Sequence, residues 1–374
     1  MKKIGYSNPE EVKREKFERI KRNFEWHYRN NPFYREYCKL YPYISGNKKR
    51  ITPDDIKKYE DLNNIPLLVS DWFKELSVRG LTDIIVPENL EIVDYFTTSG
   101  TTGEPTKYPF DRESIEETKL MYSYLIEILG VEKGDKVIFL TPSPEKSSTG
   151  LVRGGYMMYS EVVGKDDIYF LFDETTEPEK AIDTLREISS NREGKVHLFG
   201  PPFAFLELCE YLIKRGEKIE INGTAFTSGG WKRYKGGTIS KEELEDLISE
   251  TLGIKKENIR DGLGLTDIMT VLLECEKHQK HVHPWLYVSI RNPEDFTERL
   301  PPREEGLISF MSPTIRSYPA YVITGDIGEE ILTEDEICEC GRVGNSVIHK
   351  RRAKGTQARG CALVLEQLIE MMKK

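Results

Sequence analysis

Between Tyr95 and Lys107 the chain reads Tyr-Phe-Thr-Thr-Ser-Gly-Thr-Thr-Gly-Glu-Pro-Thr-Lys, hydroxyl side chains interrupted by Gly100 and Gly103 and closed by one lysine. Glycines let a backbone approach a ligand closely. Backbone N–H groups, the hydroxyls of Thr98, Ser99, Thr101 and Thr102, and the Lys107 ammonium offer donors and positive charge, which is what a phosphate needs. The Gly-Lys-Ser/Thr ending of a Walker loop is absent. A solvated Ser/Thr/Gly turn is the plain alternative, and the order and length of the stretch weigh against it.

Other residues carry chemistry further along. Gly264-Leu265-Thr266-Asp267 pairs a hydroxyl with a carboxylate, and taken alone is more often a turn with a helix cap. Thr324-Gly325-Asp326 alone reads as a β-turn, though a carboxylate can accept two hydroxyls at once. Gly229 and Gly230 end a strand-like run and would let a planar base lie against the backbone, with Trp231 either at that rim or in the core. Cys338-Glu339-Cys340 is spaced too closely for a comfortable disulfide. With Cys275 and His281 it would make three thiolates and an imidazole, a closed structural Zn²⁺ set, with surface cysteines and histidines as the alternative. His281 is preferred over His283, after which Pro284-Trp285 continues a strand, and His278 is a third option. Cys361 beside Ala362 and Leu363 reads, taken alone, as a small buried residue. His197, in Val-His-Leu-Phe, reads as a packed strand residue, while Phe199, Phe203 and Phe205 suit a core or an apolar pocket.

The elements that would position these groups follow from periodicity. Phe17, Ile20 and Phe24 recur at helical spacing and predict an amphipathic helix ended by Asn31-Pro32. Asp54 to Leu62 predicts another short helix. Strand candidates at Val93–Phe96, Lys136–Leu140, Ile168–Phe172, Val196–Phe199 and Thr224–Thr227 alternate with helices at Arg112–Leu129, Pro178–Ser189, Phe203–Lys214 and Lys241–Leu252. Such alternation predicts an α/β fold. Its ligands bind at strand carboxyl ends, which would put the glycine loop just after Val93–Phe96 in that sheet. After Leu286 the rhythm turns strand-rich, with Leu307–Phe310 and Ala320–Thr324 in a small β subdomain. His349 to Arg359, basic and rich in small residues, reads as a mobile linker to a short helix through Leu365, Leu368, Ile369 and Met372.

With 374 residues, 38% hydrophobic and 31% charged, and a net charge of −9, the chain reads as a soluble enzyme with no basic face for nucleic acid. No run is long enough to span a bilayer, and Met1-Lys2-Lys3-Ile4 is not followed by a signal-peptide core. A cytoplasmic protein is expected, its six cysteines reduced or metal-bound.

The Thr98–Lys107 loop resembles the phosphate loop of the adenylate-forming enzymes, Thr-Ser-Gly-Thr-Thr-Gly-x-Pro-x-Lys. The later motifs resemble that superfamily's in the same order. By that resemblance Thr266 meets the α-phosphate, Asp267 stands where the family has Glu and helps hold Mg²⁺, Asp326 takes the ribose hydroxyls, and Gly229 and Gly230 line the adenine. Thr-Ser-Gly-Gly-Trp-Lys, Cys-Glu-Cys-Gly-Arg and Gly360-Cys361 narrow the likeness to the LuxE-type acyl-protein synthetases, relatives of the phenylacetate–CoA ligases. These relatives show a similar Cys…His…Cys-x-Cys grouping. The resemblance implies ATP-dependent activation of a fatty acid, capture as a thioester on Cys361, and transfer to an acyl-reductase partner. It implies mixed sheets flanked by helices over residues 1–342, with the β subdomain from about 286 to 342, and a truncated segment 343–374 presenting Cys361. That segment is too short for the lysine-bearing mobile domain of the superfamily. A phenylacetate-type acyl- or aryl-CoA ligase is the nearest competitor. A non-catalytic nucleotide-binding protein is the reading from another class, kept open by Asp267 and the missing lysine.

Overall fold

The computed structural model describes residues 8–44, 50–98, 105–171, 178–190, 194–231, 237–353 and 359–373. Ser99 to Gly103, at the heart of the glycine loop, lie outside the described residues. The chain begins with α1 (Pro9–Asn30), α2 (Pro32–Ile44), β1 (Leu68–Val69), α3 (Ser70–Val78), β2 (Asp94–Thr97) and β3 (Lys107–Phe110). It continues through α4 (Arg112–Leu125), β4 (Lys136–Phe139), α5 (Gly150–Val163), β5 (Ile168–Phe170), α6 (Pro178–Ser190), β6 (Val196–Gly200), α7 (Pro202–Arg215), β7 (Ala225–Ser228), α8 (Lys241–Leu252) and β8 (Ile259–Leu265). It closes with β9 (Thr270–Glu274), β10 (Lys280–His281), β11 (Tyr287–Arg291), β12 (Gly306–Met311), β13 (Tyr321–Leu332), β14 (Ser346–Arg352) and α9 (Arg359–Met372). Two compact units result, one of Met1–Met121, Thr266–Ile268 and His281–Lys374, the other of Tyr122–Leu265 and Met269–Lys280.

The second unit is the α/β half. Strands β5, β4, β6, β7 and β8 run parallel in that order, and β9 returns antiparallel beside β8. A parallel strand covered on both faces must be apolar on both, and β6 and β7 are buried along their whole length. One face carries Ile138, Leu198, Ala225 and Ile259 against Leu185, Phe205, Leu212, Ile248 and Leu252 of α6, α7 and α8. Full burial of such a side chain contributes roughly 1.5–3 kcal/mol. Toward the other face, α5 comes so near that a Cβ at Gly155 would lie 2.5 Å from the Phe199 ring. Phe199 packs among Phe139, Tyr159 and Phe226. Phe205 joins the core, and Phe203 packs against it half-buried. His197 is the packed strand residue expected, its ring nitrogens 2.7 Å from Thr224 Oγ1 and 3.0 Å from Asp135 Oδ2.

In the first unit β11, β12, β13 and β14 form an antiparallel run, and β1 adds in parallel to β13 with Leu68 opposite Val322 and Val69 opposite Ile323. His349–Arg352, expected in a mobile linker, are instead the end of β14 and pair with Asp326–Gly328. Glycine-loop geometry also differs from expectation. The strand before the loop is not part of the parallel sheet: β2 and β3 make their own two-stranded antiparallel sheet, and the loop joins them. Strand identity is a local signal, whereas the partner of a strand is not.

Helix α1 buries Val12, Lys16, Ile20, Asn23, Phe24 and His27 along one face and is capped by Asn8, whose side chain accepts the Glu10 and Glu11 N–H groups. Asn31-Pro32 ends it as expected, but a second helix starts at once. The Asn31 Oδ1 accepts the Tyr34 N–H, and proline is tolerated in a first helical turn. The short helix expected at Asp54 to Leu62 is two separate 3₁₀ turns, each with an aspartate whose Oδ2 accepts the backbone N–H three residues earlier, that of Thr52 for Asp55 and of Lys58 for Asp61.

His27 gives the fold a pH dependence. Its ring is fully buried with Nε2 3.1 Å from the Ile315 carbonyl. Burial lowers its pKa to about 3; the hydrogen bond to Ile315 opposes this and the Arg316 charge adds to it. The unfolded chain takes up this proton near pH 6.5 and the folded one does not, so stability is complete above that pH and declines as pH falls toward 3. The loss at pH 5 is expected to be about 2 kcal/mol from this group. Urea denaturation at pH 7.5 and 5 should show a smaller acid loss in His27→Gln than in the parent.

Candidate functional site

Four segments of the first unit bring their polar groups together. Asp267 lies in a 3₁₀ turn, Thr266–Ile268, directly after β8. Its Oδ2 accepts Ser70 Oγ at 2.5 Å, its Oδ1 accepts the Tyr108 hydroxyl at 3.0 Å, and its backbone carbonyl accepts the Tyr318 hydroxyl at 3.2 Å. Asp326, near the middle of β13, accepts Arg352 Nη1 on both oxygens at 3.0 and 3.1 Å, and His349 Nε2 lies 3.2 Å from Oδ1. The bulge between Ile327 and Gly328 in the β13–β14 pairing sits beside this pair.

The electrostatics separate the two carboxyls. Burial raises the Asp267 pKa against the pull of Ser70, Tyr108 and the Arg352 charge, and the nearby negative charge of Asp326 adds to the rise. Burial also works to raise Asp326, but the hydrogen bond and charge of His349 and those of Arg352 outweigh it and hold the carboxyl below its ordinary range. Arg352 thus acts on both acids, and Asp71 adds to its own stabilisation. A pair of carboxylates with one guanidinium suits a ligand that brings hydroxyl donors and a cation. As a magnesium ligand Asp267 fits chemically: it is a hard oxygen donor, and each oxygen, with one hydroxyl bound, keeps a second lone pair.

The other expected residues are placed as follows. Thr98 closes the base of the loop: its N–H meets the Thr106 carbonyl and its Oγ1 accepts the Thr106 N–H at 3.0 Å. Lys107 begins β3 with an exposed side chain, and its N–H donates to Ser77 Oγ at 3.0 Å. Thr266 is half-buried beside Asp267. Gly229 and Gly230 belong to the second unit, where Gly229 directly follows β7 with φ 92°, a left-handed conformation that a side chain would strain. Trp231 is half-buried against that unit's core. Cys361 is the third residue of α9, and its side chain lies outside the described residues. Sequence reasoning missed Ser70, Tyr108, Tyr318 and His349 as site residues, and counted Arg352 only as part of a basic run.

The cysteine and histidine grouping assembles. Ligand atoms of Cys275, His281, Cys338 and Cys340 all lie within 4.8 Å of one another. Cys275 and His281 flank a tight turn in which Cys275 N–H meets the Gln279 carbonyl and His278 N–H meets the Cys275 carbonyl. Lys277 N–H points at Cys275 Sγ at 3.4 Å, and Arg260 Nη1 donates to the Cys275 carbonyl at 2.9 Å. Cys338 and Cys340 share a turn closed by Gly341 N–H on the Cys338 carbonyl. Of the three candidate histidines only His281 joins: His278 lies beside Glu274, and His283 Nδ1 accepts the Trp285 N–H. Three sulfurs and one imidazole, nearly all buried, match a closed zinc site.

A family model described as "Acyl-protein synthetase, LuxE" matches residues 4–370. The long-chain-fatty-acid–luciferin-component ligase of Vibrio harveyi is 26% identical over 352 residues, 93% of this chain and 86% of its own. Its counterpart in Aliivibrio fischeri is 26% identical over 370 residues, 96% of this chain and 90% of its own. Among solved structures, 2-hydroxyisobutyryl-CoA ligase in complex with 2-HIB-AMP and CoA shares the fold, with a TM-score of 0.68 and 17% identity over 92% of this chain and 69% of that one. Among the described residues no helix is long and apolar enough to cross a membrane.

Proposed function

Because the chain belongs to the LuxE family of acyl-protein synthetases, we propose that it activates a long-chain fatty acid with ATP and holds the acyl group as a thioester on Cys361 for a partner such as an acyl reductase. A carboxylate oxygen of the acid attacks the α-phosphorus, the bond to the bridging oxygen breaks, and pyrophosphate leaves acyl-AMP behind. The Cys361 sulfur then attacks the acyl carbon, its proton passes to solvent, and AMP departs with the former carboxylate oxygen. The loop from Thr98 to Lys107 and the Thr266 hydroxyl meet the phosphates, and Asp326 with Arg352 meets the ribose. Asp267 would hold Mg²⁺, which would supply neutralising charge at the α-phosphate. Gly229 and Gly230 take the adenine. Zinc in the Cys275, His281, Cys338 and Cys340 cluster is structural and takes no part in the chemistry.

One observation carries the nucleotide reading: Asp267, bonded by Ser70 and Tyr108, and Asp326, bonded by Arg352, are widely separated in sequence yet fall in one unit with β2 and β3, the strands on either side of the glycine loop. The test is exchange of labelled pyrophosphate into ATP. Exchange that depends on long-chain fatty acids is expected; none with any acid would leave a nucleotide-binding protein without adenylation. Soluble acyl-CoA formed on adding CoA, without acyl-protein, would favour the phenylacetate-type ligase instead.

A further inference from the structure

Asp267 is held more firmly than a lone metal-binding carboxylate needs. Ser70 is the first residue of α3, and β1 immediately before it is registered on β13 through Leu68 opposite Val322 and Val69 opposite Ile323. That pairing sets Ser70 near the level of Thr324 and Asp326, and its Oγ lies 2.5 Å from Asp267 Oδ2. Tyr108 reaches the other oxygen from β3, and its ring is fixed in a triangle with Phe73 and Tyr318, centroids 5.5 Å from Tyr108 to each. Tyr318 spends its own hydroxyl on the Asp267 backbone carbonyl. Two turns along α3, Ser77 accepts the Lys107 N–H. Residues seven apart share a helix face, so one face of α3 holds both the Asp267 carboxylate and the exit of the glycine loop.

We infer that Ser70 and Tyr108 are positioning residues, which fix the plane of the Asp267 carboxylate so that its remaining lone pairs meet the divalent cation travelling with the nucleotide. The inference rests on the adenylation reading for its nucleotide, and on geometry alone for the clamp. A carboxylate free to rotate offers its lone pairs in many directions; one pinned at both oxygens offers them in one, at no ordering cost when the ion arrives. The arrangement also suits aspartate in a place where the resemblance has glutamate, since a shorter side chain has less freedom to find the ion for itself.

The test uses full-length protein carrying Ser70→Ala, Ser70→Thr or Tyr108→Phe. Mn²⁺ binding is followed by electron paramagnetic resonance in the presence of α,β-methylene-ATP, with melting temperature measured alongside. Mn²⁺ affinity should weaken about tenfold in Ser70→Ala and in Tyr108→Phe, the size expected for loss of one hydrogen bond to a charged group. Ser70→Thr, which keeps the hydroxyl, should stay near the parent. In pyrophosphate exchange the apparent Mg²⁺ constant should rise while the maximal rate at saturating Mg²⁺ recovers. Unchanged Mn²⁺ affinity in both variants overturns the inference, whether or not the melting temperature falls, and so does a parent that binds no Mn²⁺ with the nucleotide. Weakened Mn²⁺ binding with no pyrophosphate exchange in the parent keeps the clamp and removes the adenylation reading.

Discussion

Cys361→Ser is expected to abolish protein-bound acyl label while acid-dependent pyrophosphate exchange continues near the parent rate. The two steps use different groups, so a defect in the second leaves the first intact. A thiolate attacks an acyl-adenylate readily and stores the acyl group as a reactive thioester, whereas a serine hydroxyl without a neighbouring base does neither well. The position of the residue supports the assignment. Cys361 falls in the first turn of α9, where the partial positive charge of a helix N-terminus favours an anionic sulfur. The rest of α9 is anchored: Leu365, Leu368 and Ile369 are buried, the helix packs on α2, and Glu366 pairs with Arg79 at 2.5 Å. The alternatives among the other cysteines are poor. Cys38 and Cys209 are fully enclosed, and burial pushes the Cys38 thiol far up and the Cys209 thiol to about 11. Cys275, Cys338 and Cys340 are drawn into the cluster. Incubation with labelled fatty acid, ATP and Mg²⁺, followed by neutral hydroxylamine, reads the thioester directly. Hydroxylamine-sensitive label persisting on Cys361→Ser would remove that residue from the mechanism.

What the sequence made legible is what local residues decide. Helix α8 is foreseen at both ends because Ser240 and Glu243 form a reciprocal cap and Gly253 stops it with φ 64°. The strands β4, β6 and β7 stand out as short apolar runs between turns. Helix α5 was invisible: Gly150, Gly154 and Gly155 argue against a helix, and only the closeness of Phe199 explains why Gly155 is needed. The β2–β3 pairing was missed for the converse reason, since no local residue announces a partner beyond the loop. Within the site, Asp267 and Asp326 announce themselves through the glycines and threonines beside them. Ser70 and Tyr108 do not, because a single hydroxyl has no spacing, and its value comes from a carboxylate far away in the sequence. His281 was separable from His278 and His283 only by a weak argument about strand direction; the turn from Cys275 to His281 decides it.

Stripping metal from the Cys275, His281, Cys338 and Cys340 cluster is expected to lower the melting temperature by about 5–10 °C, a shift that corresponds to several kcal/mol in a chain of this size. Cys275 is fully buried and His281 and Cys338 nearly so. Three sulfurs and an imidazole within 4.8 Å of one another are a donor set that an ion would draw together. The ion would fix two turns that each carry two of its ligands. One is the Cys275–His281 turn; the other is the Cys338–Cys340 turn, which leads directly into β14. His281 pairs with Ser346 at the start of that strand, and the same strand ends in Arg352 on Asp326. Loss of the metal should therefore also weaken ATP, raising its KM more than it lowers kcat, because the strand that presents Arg352 is anchored at its other end by the cluster. Elemental analysis of the purified protein should find one zinc per chain, Cys275→Ser and Cys340→Ser should each lose it, and Cys209→Ser should keep it. Protein that carries no zinc after growth with added zinc, or Cys275→Ser that melts with the parent, would make the cluster an accident of packing.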